Sequence, residues 1–155
     1  MNESSPSPMA RELALRLLRA EGASADVASE AIGAAADRVL RLLQANMSRW
    51  FGLEGFHVLL ARALDRARPV HPPLAGVTLR LNGTRSAVRL LDGLFDDLKS
   101  SSPPQALDAA VAVIAALISL LGRLVGDDMA AQLVNQSASD ALHTEQDFTD
   151  ERTTE

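Results

Sequence analysis

The stretch DAAVAVIAALISLLGR, residues 108–123, carries no charge between its two ends and nothing more polar than Ser119. A helix that is apolar on every side is buried, either inside a protein or in a bilayer. A membrane span needs about 20 apolar residues, and Asp108 and Arg123 bound this run short of that length. The stretch therefore predicts the central helix of a bundle, over residues 104–125, and no membrane span.

The composition around this helix favours an all-α fold. Ala and Leu dominate, aromatic residues amount to 3%, and Tyr is absent. Ala, Leu and Arg have high helix propensity, whereas the β-branched and aromatic residues that favour strands are scarce. A chain of 155 residues has the size of one domain. We expect a single-domain helical bundle of five or six helices over residues 7–137, with a flexible N-terminus at 1–6 and an acidic, disordered tail at 138–155.

Capping residues, glycines and prolines delimit the other helices. Ser7 is a suitable N-cap and Pro8 suits the first helical position, which predicts a first helix ending near Gly22. The second helix is expected to start at a Ser24 cap and to carry Trp50 on its apolar face. Further helices are predicted over residues 56–68 and 84–99 and after Gly126, with a short extended segment near 75–82 where apolar and polar residues alternate.

Motifs that would support catalysis are absent from the sequence. No cysteine is present, which excludes disulfides, thiolate nucleophiles and cysteine metal sites. The chain contains no GxGxxG, GxxxxGK[ST], GxSxG or HExxH pattern. Its start, MNESSPSP, has no basic region followed by an apolar one. We therefore expect a cytoplasmic protein without a cofactor, and a non-enzymatic role rather than an enzymatic one.

Two groups of titratable residues have spacings that occur in chemical sites, but the sequence favours a structural role for both. Glu54 and His57 have the Glu-x-x-His spacing that helix bundles use for di-iron sites. The spacing recurs only at Asp140 and His143, in the presumed tail, so we expect no metal centre. The second group consists of three carboxylates: Asp92, Asp96 and Asp97. Acid-base catalysis would need a pocket that shifts the pKa of one of them, and the simpler interpretation is that they form the solvated side of a helix.

Basic residues concentrate in the middle of the chain. Between Arg38 and Leu91 there are nine Arg against two acidic residues, a local net charge of +7. Such a stripe suits phosphates, so a nucleic-acid-binding regulator is the alternative function. Against it stand a pI of about 5.2, a single Lys and the lack of a recognisable helix-turn-helix. A small-ligand sensor or enzyme with a pocket near residues 69–83 is the second alternative.

The segment RWFGLEGFH, residues 49–57, holds three of the five aromatic residues and lies between two predicted helices. A large ring fills the wedge where helices diverge. Neighbouring helical residues point about 100° apart, so Trp50 and Phe51 cannot face the same core. Because Trp and Arg anchor interfaces, we predict a self-associating interaction or regulatory module, with a protein partner or a second copy as ligand. Its predicted interaction residues are Arg49, Trp50, Phe51, His57, Arg62 and Arg66.

Overall fold

The computed structural model of the protein describes residues 7–74 and 101–136. These residues form an all-α helical bundle, as predicted, and contain no strand. The helices are α1 (Pro8–Ala20), α2 (Ser29–Ala67), α3 (Pro103–Val125) and α4 (residues 127–136), with a 3₁₀ turn at Pro72–Leu74. The predicted helix at 84–99, the extended segment near 75–82 and both predicted flexible ends lie outside the described residues.

Helix α1 begins and packs as its sequence predicts. The Ser7 hydroxyl accepts a hydrogen bond from the Ala10 N–H (3.2 Å), and Pro8 occupies the first turn. The helix packs mainly on α3, and the Ser7 N–H donates to the Ser119 hydroxyl at 3.2 Å. The spacing of the apolar residues in this helix predicts one buried face, and all five of its members are buried: Ala10, Leu13, Ala14, Leu17 and Leu18.

Helix α2 begins at Ser29, later than the predicted start at Ser24. The reason is local, because the Ser24 hydroxyl accepts a hydrogen bond from the Asp26 N–H (3.3 Å) and so stabilises a turn instead of a helix. The connection between α1 and α2 is held by Arg38. Its guanidinium donates to the Glu21 carboxylate (3.0 Å) and to the Glu21 backbone carbonyl (3.1 Å).

Helix α2 is not straight. A continuous helix of 39 residues would be about 58 Å long. Both of its ends nevertheless lie beside the beginning of α3. The Ser29 hydroxyl donates to the Ser101 carbonyl. The 3₁₀ turn Pro72–Leu74, just past the other end, packs on α3, and there the Asp108 charge raises the pKa of His71 against the larger lowering by burial. We therefore infer that α2 folds back at Gly52 into two oppositely directed arms, residues 29–51 and 53–67.

Helix α3 is the central helix, and its predicted burial is confirmed. Nearly every side chain from Ala109 to Gly122 is enclosed by the other helices. Among the described residues it is also the only helix long and apolar enough to cross a bilayer, with 72% of its most apolar window buried inside the protein. Core helices and membrane spans share this composition.

Helix α4 follows Gly126, where α3 ends as predicted. Ala130, Leu133 and Val134 are buried against the core. The apolar spacing of Met129, Leu133 and Val134 predicts that all three cover the core, but the Met129 side chain is exposed. One position separates Met129 from the buried Ala130, and such a rotation about the helix axis lies within the uncertainty of a short apolar pattern.

Candidate interaction surface at the corner of α2

The corner of α2, residues 50–55, depends on the backbone of Gly52. This residue has φ 76° and ψ 167°, a region of the backbone map that is open essentially only to glycine. The arms on either side are regular helix, so the change of direction is confined to this residue. The predicted junction between a second and a third helix is thereby confirmed in position.

Gly55 serves the corner differently, by allowing a close approach. A Cβ atom placed on Gly55 would lie 2.9 Å from the Cβ of Phe51, which is too close for two carbon atoms. The lack of a side chain at Gly55 lets Phe51 lie against the second arm, where its half-buried ring packs on the core. The two glycines of the corner therefore have separate roles, one in backbone geometry and one in packing.

The three aromatic rings of the corner have different environments. Phe56 is fully buried and Phe51 is half-buried. Trp50 is 61% exposed, although the sequence analysis placed it on the apolar face of its helix. The buried face of the first arm runs through Leu43 and Met47 and continues to Phe51, four residues on. The prediction that Trp50 and Phe51 diverge is confirmed, and Trp50 is the exposed ring.

A line of exposed side chains follows the corner along the second arm. Glu54, Val58 and Arg62 are all exposed, and their spacing of four residues places them on one helix face. Val58 is 55% exposed, which is high for a branched apolar residue. We call Glu54, Val58 and Arg62 the second-arm line. Sequence reasoning named only Arg62 as an interaction residue, although the regular spacing of all three was visible.

The corner lies at the same end of the bundle as the end of α3. The first arm and α3 begin side by side at Ser29 and Ser101, and each extends for 23 residues, about 34 Å. At this end α3 exposes Leu124, which is 61% accessible to solvent. Exposed apolar side chains therefore occur on both helices at one end of the molecule.

The charged residues of this surface fall into two groups. Arg49, Glu54 and Arg62 are exposed and make no ion pair or hydrogen bond through their side chains within residues 7–74 and 101–136. Arg66 is different, since it is half-buried and takes part in an interaction within the molecule. Of the predicted basic stripe, Arg49 and Arg62 are thus available to an external partner.

His57 lies inside the protein rather than on the contact surface. It is 8% exposed, its ring meets that of Phe56 edge-on at 6.1 Å, and its Nε2 has no hydrogen-bond partner among the described residues. Burial lowers the pKa of His57 below the ordinary value of 6.5, because desolvation disfavours the charged imidazolium. The structure therefore separates His57 from the exposed Trp50, Arg49 and Arg62.

The same separation bears on metal binding. Glu54 is exposed while His57 is buried, so the two side chains do not converge despite their Glu-x-x-His spacing. Among the described residues no group of three or more His, Asp or Glu side chains is arranged to hold a metal ion. The remaining titratable candidates lie outside the described residues: Asp92, Asp96, Asp97, Asp140 and His143. Positions 75–83 of the predicted ligand pocket lie outside them as well.

The chain matches no protein-family model, no curated protein and no solved structure. The corner surface is therefore interpreted from its own chemistry. It combines an exposed indole, an exposed branched apolar side chain and charges of both signs. Apolar side chains with charges around them are typical of surfaces that contact other macromolecules.

Proposed function

We propose that the protein is a non-enzymatic, self-associating interaction module whose contact surface is the corner of α2. The observation that carries this proposal is the exposure of Trp50, 61% of whose surface faces solvent. Trp is enriched among the residues that dominate binding energy at interfaces. Covering a ring of this size contributes about 2 to 3 kcal/mol from apolar area alone. An exposed Trp is therefore a strong anchor for a partner.

Other exposed side chains near the corner support the proposal. Val58 and Leu124 supply further exposed apolar area, and the exposed Arg49 and Arg62 supply polar contacts. Interfaces commonly have an apolar centre with a charged rim. The rigid helices on both sides of the corner hold these side chains in place without a partner, which lowers the entropy lost on binding.

The test is the effect of Trp50→Ala on self-association, measured by sedimentation velocity over a range of concentrations. We expect the wild type to associate reversibly and the variant to remain monomeric while keeping its helical circular dichroism. Val70→Ala is the matched control, because Val70 is 71% exposed at the opposite end of the second arm. Equal association of the wild type and both variants would refute a role of the corner.

Nucleic-acid binding is the second candidate, and the observation in its favour is that Arg49 and Arg62 are exposed and make no ion pair within the described part of the chain. If they contact phosphates, affinity for mixed DNA or RNA should fall steeply with salt, and each Arg removed should lower the slope of log K against log salt by about one. Fluorescence anisotropy at low salt measures this directly. Glu54 lies between the two arginines in the sequence and would repel a phosphate backbone, so we rank this candidate second.

A further inference from the structure

The order of charges along the second-arm line suggests which partner covers it. Glu54 lies four residues before Val58, and Arg62 lies four residues after it. The two charged groups are about 12 Å apart along the helix, too far to pair with each other. Neither makes an ion pair elsewhere in the described part of the chain. The line thus presents one acid and one base at equal distances from an apolar centre.

We propose that this line binds a second copy of the chain, antiparallel to the first, about a two-fold axis that passes beside Val58. Rotation about that axis exchanges the position four residues before Val58 with the position four residues after it. Glu54 of each copy then faces Arg62 of the other, and the two Val58 side chains meet at the centre. A two-fold interface is self-complementary in this way. The inference rests on the proposed function and specifies its partner.

Other occupants fit the line less well. A polyanion, including the acidic segment 138–155, would be attracted by Arg62 but repelled by Glu54. A basic partner would be attracted by Glu54 but repelled by Arg62. Only a surface with the opposite order of charges pairs both groups, and the line itself, turned around, has that order. Trp50 is on the first arm, four residues before Glu54, so in this arrangement the corner that carries it is at the Arg62 end of the second copy, and a guanidinium can stack on an indole.

The first experiment uses the absence of cysteine from the chain. Val58→Cys places one thiol per copy beside the proposed axis, within the separation of Cα atoms that a disulfide requires. Under mild oxidation we expect a disulfide-linked dimer at micromolar concentration. Ala45→Cys is the matched control, since Ala45 is also exposed but belongs to the first arm and not to the second-arm line, and it should form few cross-links. Equal cross-linking of both variants would overturn the proposal.

The second experiment reverses the charges. Glu54→Arg and Arg62→Glu each place like charges opposite one another, and we expect each to weaken the dimer at least about ten-fold at low salt. The double variant restores both pairs and should recover wild-type association, as measured by sedimentation equilibrium. Asp26→Arg makes the same charge change on an exposed loop residue and should have no effect. Failure of the double variant to recover would overturn the antiparallel pairing.

Trp50→Ala distinguishes failure of the antiparallel pairing about Val58 from failure of self-association through the corner. If it abolishes self-association but the double charge variant shows no recovery, the corner is the interface and the pairing about Val58 is wrong. If the wild type stays monomeric at several hundred micromolar, or if Trp50→Ala associates as the wild type does, self-association through the corner is itself wrong.

Discussion

Phe56 and Trp50 are six residues apart, yet one ring is fully enclosed and the other is largely in solvent. This difference in burial determines how much each ring contributes to the free energy of unfolding. A buried ring makes dispersion contacts in all directions and leaves a cavity when removed. An exposed ring gains few contacts when the chain folds. Its removal therefore leaves the free energy of unfolding nearly unchanged.

We therefore predict that Phe56→Ala lowers the free energy of unfolding by about 3 to 5 kcal/mol, whereas Trp50→Ala changes it by at most about 0.5 kcal/mol. Phe51→Ala should fall between them, since its ring is half-buried. Urea denaturation followed by circular dichroism measures all three. Equal and large losses for Phe56 and Trp50 would mean that the corner is only core.

His57 predicts a dependence of stability on pH. Its folded-state pKa lies below 6.5, so as the pH falls the unfolded chain binds the proton first. The stability associated with neutral His57 is complete above about pH 6.5 and is lost as the pH falls through the folded-state pKa. His71, whose pKa burial also lowers, acts in the same sense.

We expect His57→Leu to unfold at a melting temperature that depends less on pH between 7.5 and 5 than that of the wild type. Removal of an imidazole whose Nε2 has no hydrogen-bond partner within residues 7–74 and 101–136 should also cost little at pH 7.5. Differential scanning fluorimetry over that pH range provides the comparison, with His71→Leu as the control for the other histidine. An unchanged pH dependence in His57→Leu would contradict the buried, neutral state.

At the scale of the elements, the turn of α2 at Gly52 determines the architecture. Without it the two arms would extend away from each other, and the two ends of α2 would not both reach α3. Because φ 76° and ψ 167° are strained for any residue with a Cβ atom, Gly52→Ala should cost about 1 to 3 kcal/mol. Gly22→Ala tests the same kind of strain outside the corner, since Gly22 has φ 93° and open space around it.

If the corner also forms the contact surface, Gly52→Ala should weaken self-association and Gly22→Ala should not. Comparison of unfolding midpoints and of sedimentation for both variants gives the answer. A Gly52→Ala protein as stable as the wild type would show that the backbone at this position relaxes easily into another conformation.

The helices that the sequence predicted well are those whose signals are local. The Ser7 cap, the buried face of α1 and the extent of α3 follow from capping chemistry and unbroken apolarity, and all are confirmed. The start of α2 was missed because the Ser24 hydroxyl stabilises a turn as readily as a helix. The exposure of Trp50 was missed because positions three and four residues after Met47 both fit a period of 3.6, and only the packed core distinguishes them.

At the scale of the whole molecule, charge is unevenly divided. The chain has a net charge of −5, and residues 138–155 carry six acidic residues and Arg152, which is also −5. The remaining chain therefore has a net charge of zero. Proteins with little net charge associate and precipitate more readily, so the acidic segment is expected to keep the protein in solution.

Deletion of residues 138–155 should leave the melting temperature within a few degrees of that of the full chain and lower the solubility near pH 7. Limited proteolysis should remove the same residues first, which follows from their polar composition. A melting temperature lowered by many degrees would show that the segment packs on the helices. Turbidity and calorimetry on both chains would decide the question.

The packing of α1 on α3 has a consequence for synthesis. The Ser7 N–H meets Ser119, 112 residues later in the chain, and the apolar face of α1 is covered mainly by α3. At about 5 to 20 residues per second, a ribosome needs roughly 5 to 20 s to make the intervening chain. For that interval α1 is a nascent amphipathic helix without its partner, which is the kind of segment that chaperones at the ribosomal exit bind.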